Sequence, residues 1–145
     1  MDKCQKTASI YIATLKVIYE ISLQNHWKAK GSNFYSLHLM FERIYKTTQD
    51  NLDQSAEKLL TLFGDDILDE SLQNKLKYKI NKKYESLDGI DQVSKIIKDF
   101  IDYSVFAYQC FEENNKKTLG LDDMIMSISN DQEVNLYLLD RSSKN

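Results

Sequence analysis

Helix-breaking residues are scarce in this sequence of 145 residues, which contains no proline and only four glycines. Because proline removes a backbone donor and glycine costs conformational entropy, their scarcity favours long uninterrupted helices. Positive charge is not in excess either. Lys and Arg total 19 against 22 Asp and Glu, and the net charge of −3 excludes a strong bulk attraction to nucleic acid or to an anionic membrane.

Membrane and targeting signals are also missing. No apolar run reaches the roughly 18 residues that a membrane helix needs, and polar residues interrupt the apolar ones between residues 10 and 21. The two cysteines, Cys4 and Cys110, match no metal-binding spacing and suit reduced thiols. We therefore expect a cytoplasmic protein without membrane contact, folded as a single domain over residues 1–145.

Hydrophobic periodicity predicts an all-α fold. Four long helices are expected at residues 7–29, 32–63, 89 to the turn that starts at 114, and 121–141. A short helix is expected in the connection between the second and third helices, where Leu72, Leu76 and Ile80 recur every four residues. The pattern predicts a four-helix bundle. The polar stretch 127–133 in the last helix suits the lining of a cavity or a pore better than a bundle core.

The residue types that bind transition metals are concentrated around one turn and along the helix that follows it. Both histidines of the chain lie here, with three carboxylates after them: His26, His38, Glu42, Asp53 and Glu57. Gly31 suits the end of the first helix, and Ser32 or Asn33 can cap the second, so the chain reverses and returns His26 toward His38. Imidazole and carboxylate together suit a metal such as iron or zinc.

Spacing along the second helix shows that one chain cannot close this site. His38 and Glu42 share a face, as do Asp53 and Glu57, because each pair is four residues apart. The two pairs are separated by ~22 Å along the helix axis, whereas metal–ligand bonds are about 2 Å long. Either the chain carries two half-built sites, or an antiparallel second copy brings one pair against the other. A two-fold axis crossing near residues 45–48 would then create two identical sites.

The same segment resembles the mini-ferritins of the Dps family (DNA-binding protein from starved cells) at the positions of their ferroxidase site. The resemblance is strong over residues 23–60 and rests on His26, Trp27, Gly31, Phe34, Leu37, His38, Phe41, Tyr45, Asp53, Ala56 and Glu57. Glu42 falls where the family usually has a further Asp or Glu ligand. The fold that the resemblance implies is a ferritin-like four-helix bundle.

The resemblance also implies a function and an assembly. A hollow dodecamer would oxidise Fe(II), typically with hydrogen peroxide, at two-iron centres shared across two-fold interfaces, and would store the Fe(III) mineral inside. The protein would therefore be a ferroxidase that protects against oxidative stress. The expected metal-binding residues are the two histidines and the three carboxylates, with Glu57 as the bridge between two irons. Zinc or another divalent metal can substitute for iron.

Two further expectations concern residues around this centre. Trp27 adjoins a ligand and is expected either to pack against the interface or to take up an oxidising equivalent, and so counts among the catalytic candidates. Asp123 matches a family acid at the three-fold pore, where Asp122, Glu112 and Glu113 are alternative sources of negative charge for iron entry.

Other functions remain open at this point. A maxi-ferritin would need Glu-x-x-His motifs, which the sequence lacks. The main alternative is a DNA-compacting Dps protein with minor or vestigial iron chemistry, and a third is a helical bundle that binds no metal. An N-terminal tail of about six residues with Lys3 and Lys6, and a C-terminal tail with Lys144, would release few counterions, so DNA binding is expected to be weak or absent.

Overall fold

A computed structural model describes residues 1–143 as five α-helices. They are α1 (Lys3–Lys28), α2 (Phe34–Phe63), α3 (Glu70–Lys82), α4 (Gly89–Glu113) and α5 (Leu119–Ser142), with a 3-10 helix at Asp65–Leu68. The helix α1 packs against α2 and α4, α5 packs against α4 and α2, and the short α3 lies against α1. The predicted all-α four-helix bundle, with a short helix between its second and third long helices, is confirmed.

The helix α1 begins earlier than the sequence pattern predicted. Asp2 accepts a hydrogen bond of 2.8 Å from the backbone N–H of Gln5, whose side chain accepts one of 3.0 Å from the N–H of Asp2. This capping box satisfies two backbone donors that a helix start leaves free. Lys3 and Lys6 therefore lie inside α1, and the prediction of a six-residue tail before the helix was wrong. Lys144 lies outside the described residues.

The core is a hydrophobic cluster to which all four long helices contribute. Its largest fully buried side chains include Tyr11, Ile18, Phe41, Ile97 and Phe100. Burying each such side chain is worth about 1.5–3 kcal/mol relative to leaving it in water, so this cluster is what holds the ends of α1 and α2 side by side. Across the part of the chain that the structure describes, none of the helices combines the length and the apolarity that crossing a membrane would take.

A layer of hydrogen-bonded polar side chains joins α2 to α5 inside the bundle. The amide nitrogen of Gln132 donates to Thr48 at 3.1 Å and to Asn51 at 2.9 Å, and Asn135 donates to Gln132 at 3.2 Å. All four side chains are buried. The prediction that residues 127–133 line a cavity or a pore is therefore wrong for Gln132, because its partners on α2 satisfy it within the core.

Candidate metal centre

The two histidines face each other where α1 ends and α2 begins, and each binds the backbone of the other. The Nδ1 atom of His26 lies 2.7 Å from the carbonyl oxygen of His38, and Nδ1 of His38 lies 2.8 Å from the carbonyl oxygen of His26. Since a carbonyl oxygen can only accept, both Nδ1 atoms carry the hydrogen and donate it. In the neutral imidazoles the lone pair is then on Nε2, the atom left available to a metal.

The chain reversal that creates this pairing takes only the residues between Lys28 and Phe34. Gly31 adopts φ +93°, a left-handed conformation that suits glycine because it has no Cβ. Asn33 occupies the N-cap of α2, as predicted for one of two candidates, although its side chain makes no capping hydrogen bond. The turn thus depends on the backbone freedom of Gly31 rather than on a side-chain cap.

Aromatic rings surround the histidine pair on both helices. The imidazole rings themselves stack with centroids 3.7 Å apart and planes inclined by 18°. Phe34 stacks on His38 at 5.0 Å, and Tyr45 meets the His26 ring edge-on at 5.2 Å. Tyr45 in turn contacts Tyr19 at 5.9 Å. These contacts restrict both imidazoles to one orientation, and His26 is only 8% exposed.

Glu42 lies one helical turn after His38 on α2 and is, of the three predicted carboxylates, the one nearest to His38 along the helix. Its side chain is 33% exposed and forms an ion pair of 3.5 Å with Lys46, four residues further along α2. An exposed pair of this kind is weak, about 0.3–0.5 kcal/mol. The carboxylate can therefore exchange Lys46 for a metal ion at little cost.

Asp53 and Glu57 lie near the other end of α2 and are both exposed. The helix α2 is continuous from Phe34 to Phe63. Asp53 therefore lies ~22 Å from His38 along the helix axis, as the spacing predicted. Among residues 1–143, no three or more His, Cys, Asp or Glu side chains form a group that could hold a metal ion. One chain thus brings His26 and His38 together, has Glu42 one helical turn after His38, and keeps Asp53 and Glu57 far along the same helix.

A second charged cluster lies at the start of α5, where pore acids were expected. The ammonium group of Lys117 lies 2.9 Å from Glu112, 3.4 Å from Asp122 and 2.7 Å from the hydroxyl of Tyr108. The hydrogen bonds to Tyr108 and Glu112 raise the pKa of Lys117 above its ordinary value. Two of the four candidate acids therefore share one lysine, and among residues 1–143 the exposed Asp123 and Glu113 form no ion pair.

Sequence reasoning missed the groups that position the histidines. The two backbone carbonyls, Tyr19 on α1 and the Lys46 partner of Glu42 were not identified. The position of Lys46, four residues after Glu42, was the one available signal, because such pairs on a helix commonly interact. The carbonyl contacts had no signal, since they join residues on opposite sides of the turn.

Known proteins are similar to this chain in sequence. No family model matches the chain. A DNA protection during starvation protein from Brevibacillus brevis is 32% identical over 94 residues, which cover 63% of this chain and 60% of that protein. General stress protein 20U from Bacillus subtilis is 29% identical over 135 residues, which cover 88% of each chain.

Solved structures give the same answer for the fold. The crystal structure of a Dps protein from Vibrio cholerae O1, described as a member of a superfamily of ferritin-like diiron-carboxylate proteins, superposes with a TM-score of 0.82 at 23% identity. The superposition covers 98% of this chain and 89% of that one. The bundle is thus a ferritin-like fold. Sequence relatives and fold together support the resemblance to the Dps family that was found in the sequence.

Proposed function

We propose that this protein is a mini-ferritin that oxidises Fe(II) and stores the Fe(III) product. The ferroxidase centres would be shared between two chains across a two-fold axis, and the complete particle would be a hollow dodecamer, as the family resemblance implies. Iron is here the substrate and the stored cargo. The observation that carries the proposal is the reciprocal bonding of His26 and His38, which presents two Nε2 atoms in fixed orientations.

The residues present fit a metal centre. Histidines that bind metals usually donate their second ring N–H to a carbonyl or a carboxylate, which fixes the tautomer and the ring orientation. Both histidines of this chain do so, at 2.7 and 2.8 Å. Among residues 1–143 neither Nε2 atom has a hydrogen-bond partner, so both lone pairs stay available, and this supports a ligand role.

The ring geometry also supports two metal ions instead of one. A metal about 2.1 Å from an Nε2 atom lies close to the plane of that ring. Planes inclined by only 18°, with centroids 3.7 Å apart, do not meet within bonding distance, so His26 and His38 cannot share one ion. The ring spacing is similar to the separation of about 3.5–4 Å between the ions of two-metal sites. Each imidazole would therefore bind its own iron.

The missing carboxylates would come from a second chain. An antiparallel copy related by a two-fold axis near Tyr45 would bring its Asp53 and Glu57 to the histidines, and would do the same in return. Apolar side chains around the histidines lack cover in the single chain: Trp27 is 65%, Phe34 41%, Tyr35 69% and Leu39 41% exposed. Such a patch marks an interaction surface, and a second chain placed here would bury it.

Two neighbouring irons would allow Fe(II) to be oxidised without release of a radical. Reduction of hydrogen peroxide to two waters takes two electrons and two protons, and each Fe(II) supplies one electron. A pair of irons therefore completes the reduction in one centre without releasing a hydroxyl radical. Zinc can take the same ligands but cannot donate electrons, so it would inhibit the reaction. Trp27, next to His26, would either seal the interface or take up a stray oxidising equivalent.

The proposal is tested by anaerobic titration with Fe(II), followed by peroxide, with the particle size measured in parallel. We expect two Fe(II) per chain, a rise in Fe(III) absorbance at two Fe(II) per peroxide, and the mass of a dodecamer by light scattering. Protein incubated with zinc first is the control and should show no rise. A protein that remains monomeric, or that binds no Fe(II), would contradict the proposal.

The alternative of a DNA-compacting protein rests on fewer observations. Relatives carry the name DNA protection during starvation protein, but the lysines of the expected N-terminal tail lie inside α1. A structured helix end cannot wrap a duplex as a flexible tail does. We therefore keep DNA binding as the second candidate and expect it to be weak.

A further inference from the structure

The two cysteines of the chain are 106 residues apart in the sequence and meet inside the folded bundle. Cys4 lies in the first turn of α1, and Cys110 lies in the last turn of α4. The Sγ atom of Cys4 is 3.9 Å from the carbonyl oxygen of Cys110, and each residue is only 3% exposed. Their spacing in the sequence gave no sign of this contact, which the packing of α1 against α4 creates.

A hydrogen bond to Thr7 also holds the Cys110 sulfur against α1. Thr7 lies one turn after Cys4 and donates its hydroxyl hydrogen to the carbonyl oxygen of Lys3 at 2.9 Å. The hydroxyl oxygen, 3.4 Å from the Sγ atom of Cys110, is therefore the acceptor for the Cys110 thiol. Cys110 is in addition one of the groups that raise the pKa of Cys4. The contacts from both helices thus make the two sulfur atoms neighbours.

Two thiols in contact have a chemistry that packing alone does not require. A buried cysteine behaves as a small hydrophobic side chain, and one such residue would fill its space without a second beside it. A sulfenic acid that forms on one sulfur, however, condenses with any thiol that it can reach. Because the chain has only these two cysteines, each is the partner that the other meets within the same chain.

We propose that Cys4 and Cys110 form an oxidation site at which hydrogen peroxide converts the two thiols into a disulfide. One sulfur, as the thiolate, attacks the O–O bond of peroxide, becomes a sulfenic acid and releases hydroxide. The second thiol then attacks the sulfenic sulfur, which forms the S–S bond and releases water. In total the two thiols lose two electrons and two protons, and one peroxide becomes two waters. The disulfide joins the first turn of α1 to the last turn of α4.

This site is separate from the candidate metal centre. Cys4 and His26 lie near opposite ends of α1, ~33 Å apart along the helix axis. The oxidation uses no iron and no residue of the histidine pair. The inference therefore goes beyond the proposed function and does not depend on it.

Oxidation should be slow while the protein is folded. Burial is the main reason that the pKa of Cys4 is raised to about 11, so little of its thiolate is present near neutral pH. Both cysteines lie in terminal turns, and helix ends are the parts that open locally at the lowest cost in free energy. Such an opening is enough to admit a molecule as small as peroxide. The pair should therefore respond to excess peroxide and remain reduced at low concentrations.

The proposal is tested on the full chain after a chelator has removed bound metal. The protein is incubated overnight with excess hydrogen peroxide near neutral pH, and its mass and peptides are analysed before and after dithiothreitol. We expect each chain to lose two hydrogens, a peptide pair that links Cys4 with Cys110, and complete reversal by dithiothreitol. The link closes a loop that spans most of the chain, so it should raise the Tm by about 5–15 °C.

The same incubation in urea is the control for proximity. Unfolding separates the two sulfur atoms, so a sulfenic acid on one of them is oxidised further before it meets the other. We expect mostly sulfinic and sulfonic acids in urea, and the disulfide in the folded protein. Oxidation of methionines adds oxygen without linking peptides, and peptide mapping therefore distinguishes it from the proposed reaction.

Single substitutions are the matched controls. Cys4→Ser and Cys110→Ser each leave one thiol, which should gain oxygen atoms under the same treatment and give no rise in Tm. If a serine variant does not fold, Cys4→Ala or Cys110→Ala takes its place, since alanine is apolar like a buried cysteine. Circular dichroism verifies that each variant is folded before peroxide is added.

Three results would overturn the inference. They are sulfinic acids without a link in the folded protein, disulfides between different chains in place of the link within one, and thiols that are still reduced after the incubation. The proposed function would stand in each case, because it is tested by the binding and oxidation of Fe(II). Conversely, a chain that binds no Fe(II) but forms the reversible link would overturn the proposed function and leave this inference standing.

Discussion

His26 and His38 orient each other through their backbones, with each Nδ1 within 2.8 Å of the other residue's carbonyl oxygen. An alanine substitution removes one imidazole but leaves its carbonyl in place, so the remaining ring keeps its hydrogen bond. We therefore expect His26→Ala to retain about one of the two irons per centre, and to weaken binding at the other about 10–100-fold. Equilibrium titration with Fe(II) under nitrogen measures both. Complete loss of binding would show that the two rings serve a single ion.

The sharing of the centre between chains is tested by mixing. Chains with His26→Ala and His38→Ala are assembled with chains that carry Asp53→Ala and Glu57→Ala, and mixed particles are verified by mass. Each mixed two-fold interface contains one intact centre and one that lacks the two histidines, Asp53 and Glu57 and keeps only Glu42, so ferroxidase activity should partly return. Each variant alone should be inactive. Absence of recovery in mixed particles would mean that each centre belongs to one chain.

The buried polar layer between α2 and α5 should contribute to stability as a unit. Gln132→Ala removes the donor to Thr48 and Asn51 and leaves a cavity, and we expect a loss of about 2–4 kcal/mol. In the Gln132→Ala background, Asn51→Ala should lower the free energy of unfolding by less than it does alone. The hydrogen bond of 2.9 Å between the two side chains is then already lost. Urea unfolding followed by circular dichroism measures these differences. Gln54→Ala, at an exposed position of α2, is the control and should change the free energy of unfolding little.

Cys4 should be unreactive in the folded protein. Burial, and then the neighbouring Cys110 thiol, raise the pKa of Cys4 from 9.0 to about 11. Because only the thiolate reacts, alkylation by iodoacetamide at pH 8 should be about 100-fold slower than in urea. Mass spectrometry of the Cys4 peptide gives the rate. The raised pKa stabilises the fold fully below pH 9.0, and this contribution is lost as the pH rises toward 11. Equal alkylation rates in the folded protein and in urea would contradict the buried position of Cys4.

Plasmid DNA should not be retarded by this protein at about 150 mM salt near neutral pH. The net charge is −3, and Lys3 and Lys6 are held in α1, so few counterions are released on binding. A gel-shift series from low salt upward measures the dependence. A variant with Lys75→Glu, Lys79→Glu and Lys83→Glu, at exposed positions in and just after α3, is the informative control, because any shift at low salt should disappear with it. A shift of the wild type that persists at about 150 mM would reinstate DNA binding as a function.

The sequence by itself determined the local features of this protein. Hydrophobic periodicity predicted the long helix α4, and its apolar residues Val93, Ile97 and Phe100 are buried. Gly31 predicted the reversal that brings His26 back to His38, because few other residues adopt its φ of +93°. Spacing along a continuous helix was enough to place Asp53 and Glu57 out of reach of the histidines. Each of these features depends on neighbours within a few turns of the chain.

The tertiary structure alone decided which distant groups meet. Nothing in the sequence indicated that the Nδ1 atoms would bind opposite carbonyls, or that Gln132 would find Thr48 and Asn51 in the core. The helix α1 also begins earlier than the hydrophobic pattern predicted, because the capping box of Asp2 and Gln5 determines its first residues. These contacts depend on how α1, α2 and α5 pack together. Packing is determined by shape complementarity and hydrogen-bond satisfaction over the whole bundle, and the spacing of residues along one helix does not specify either.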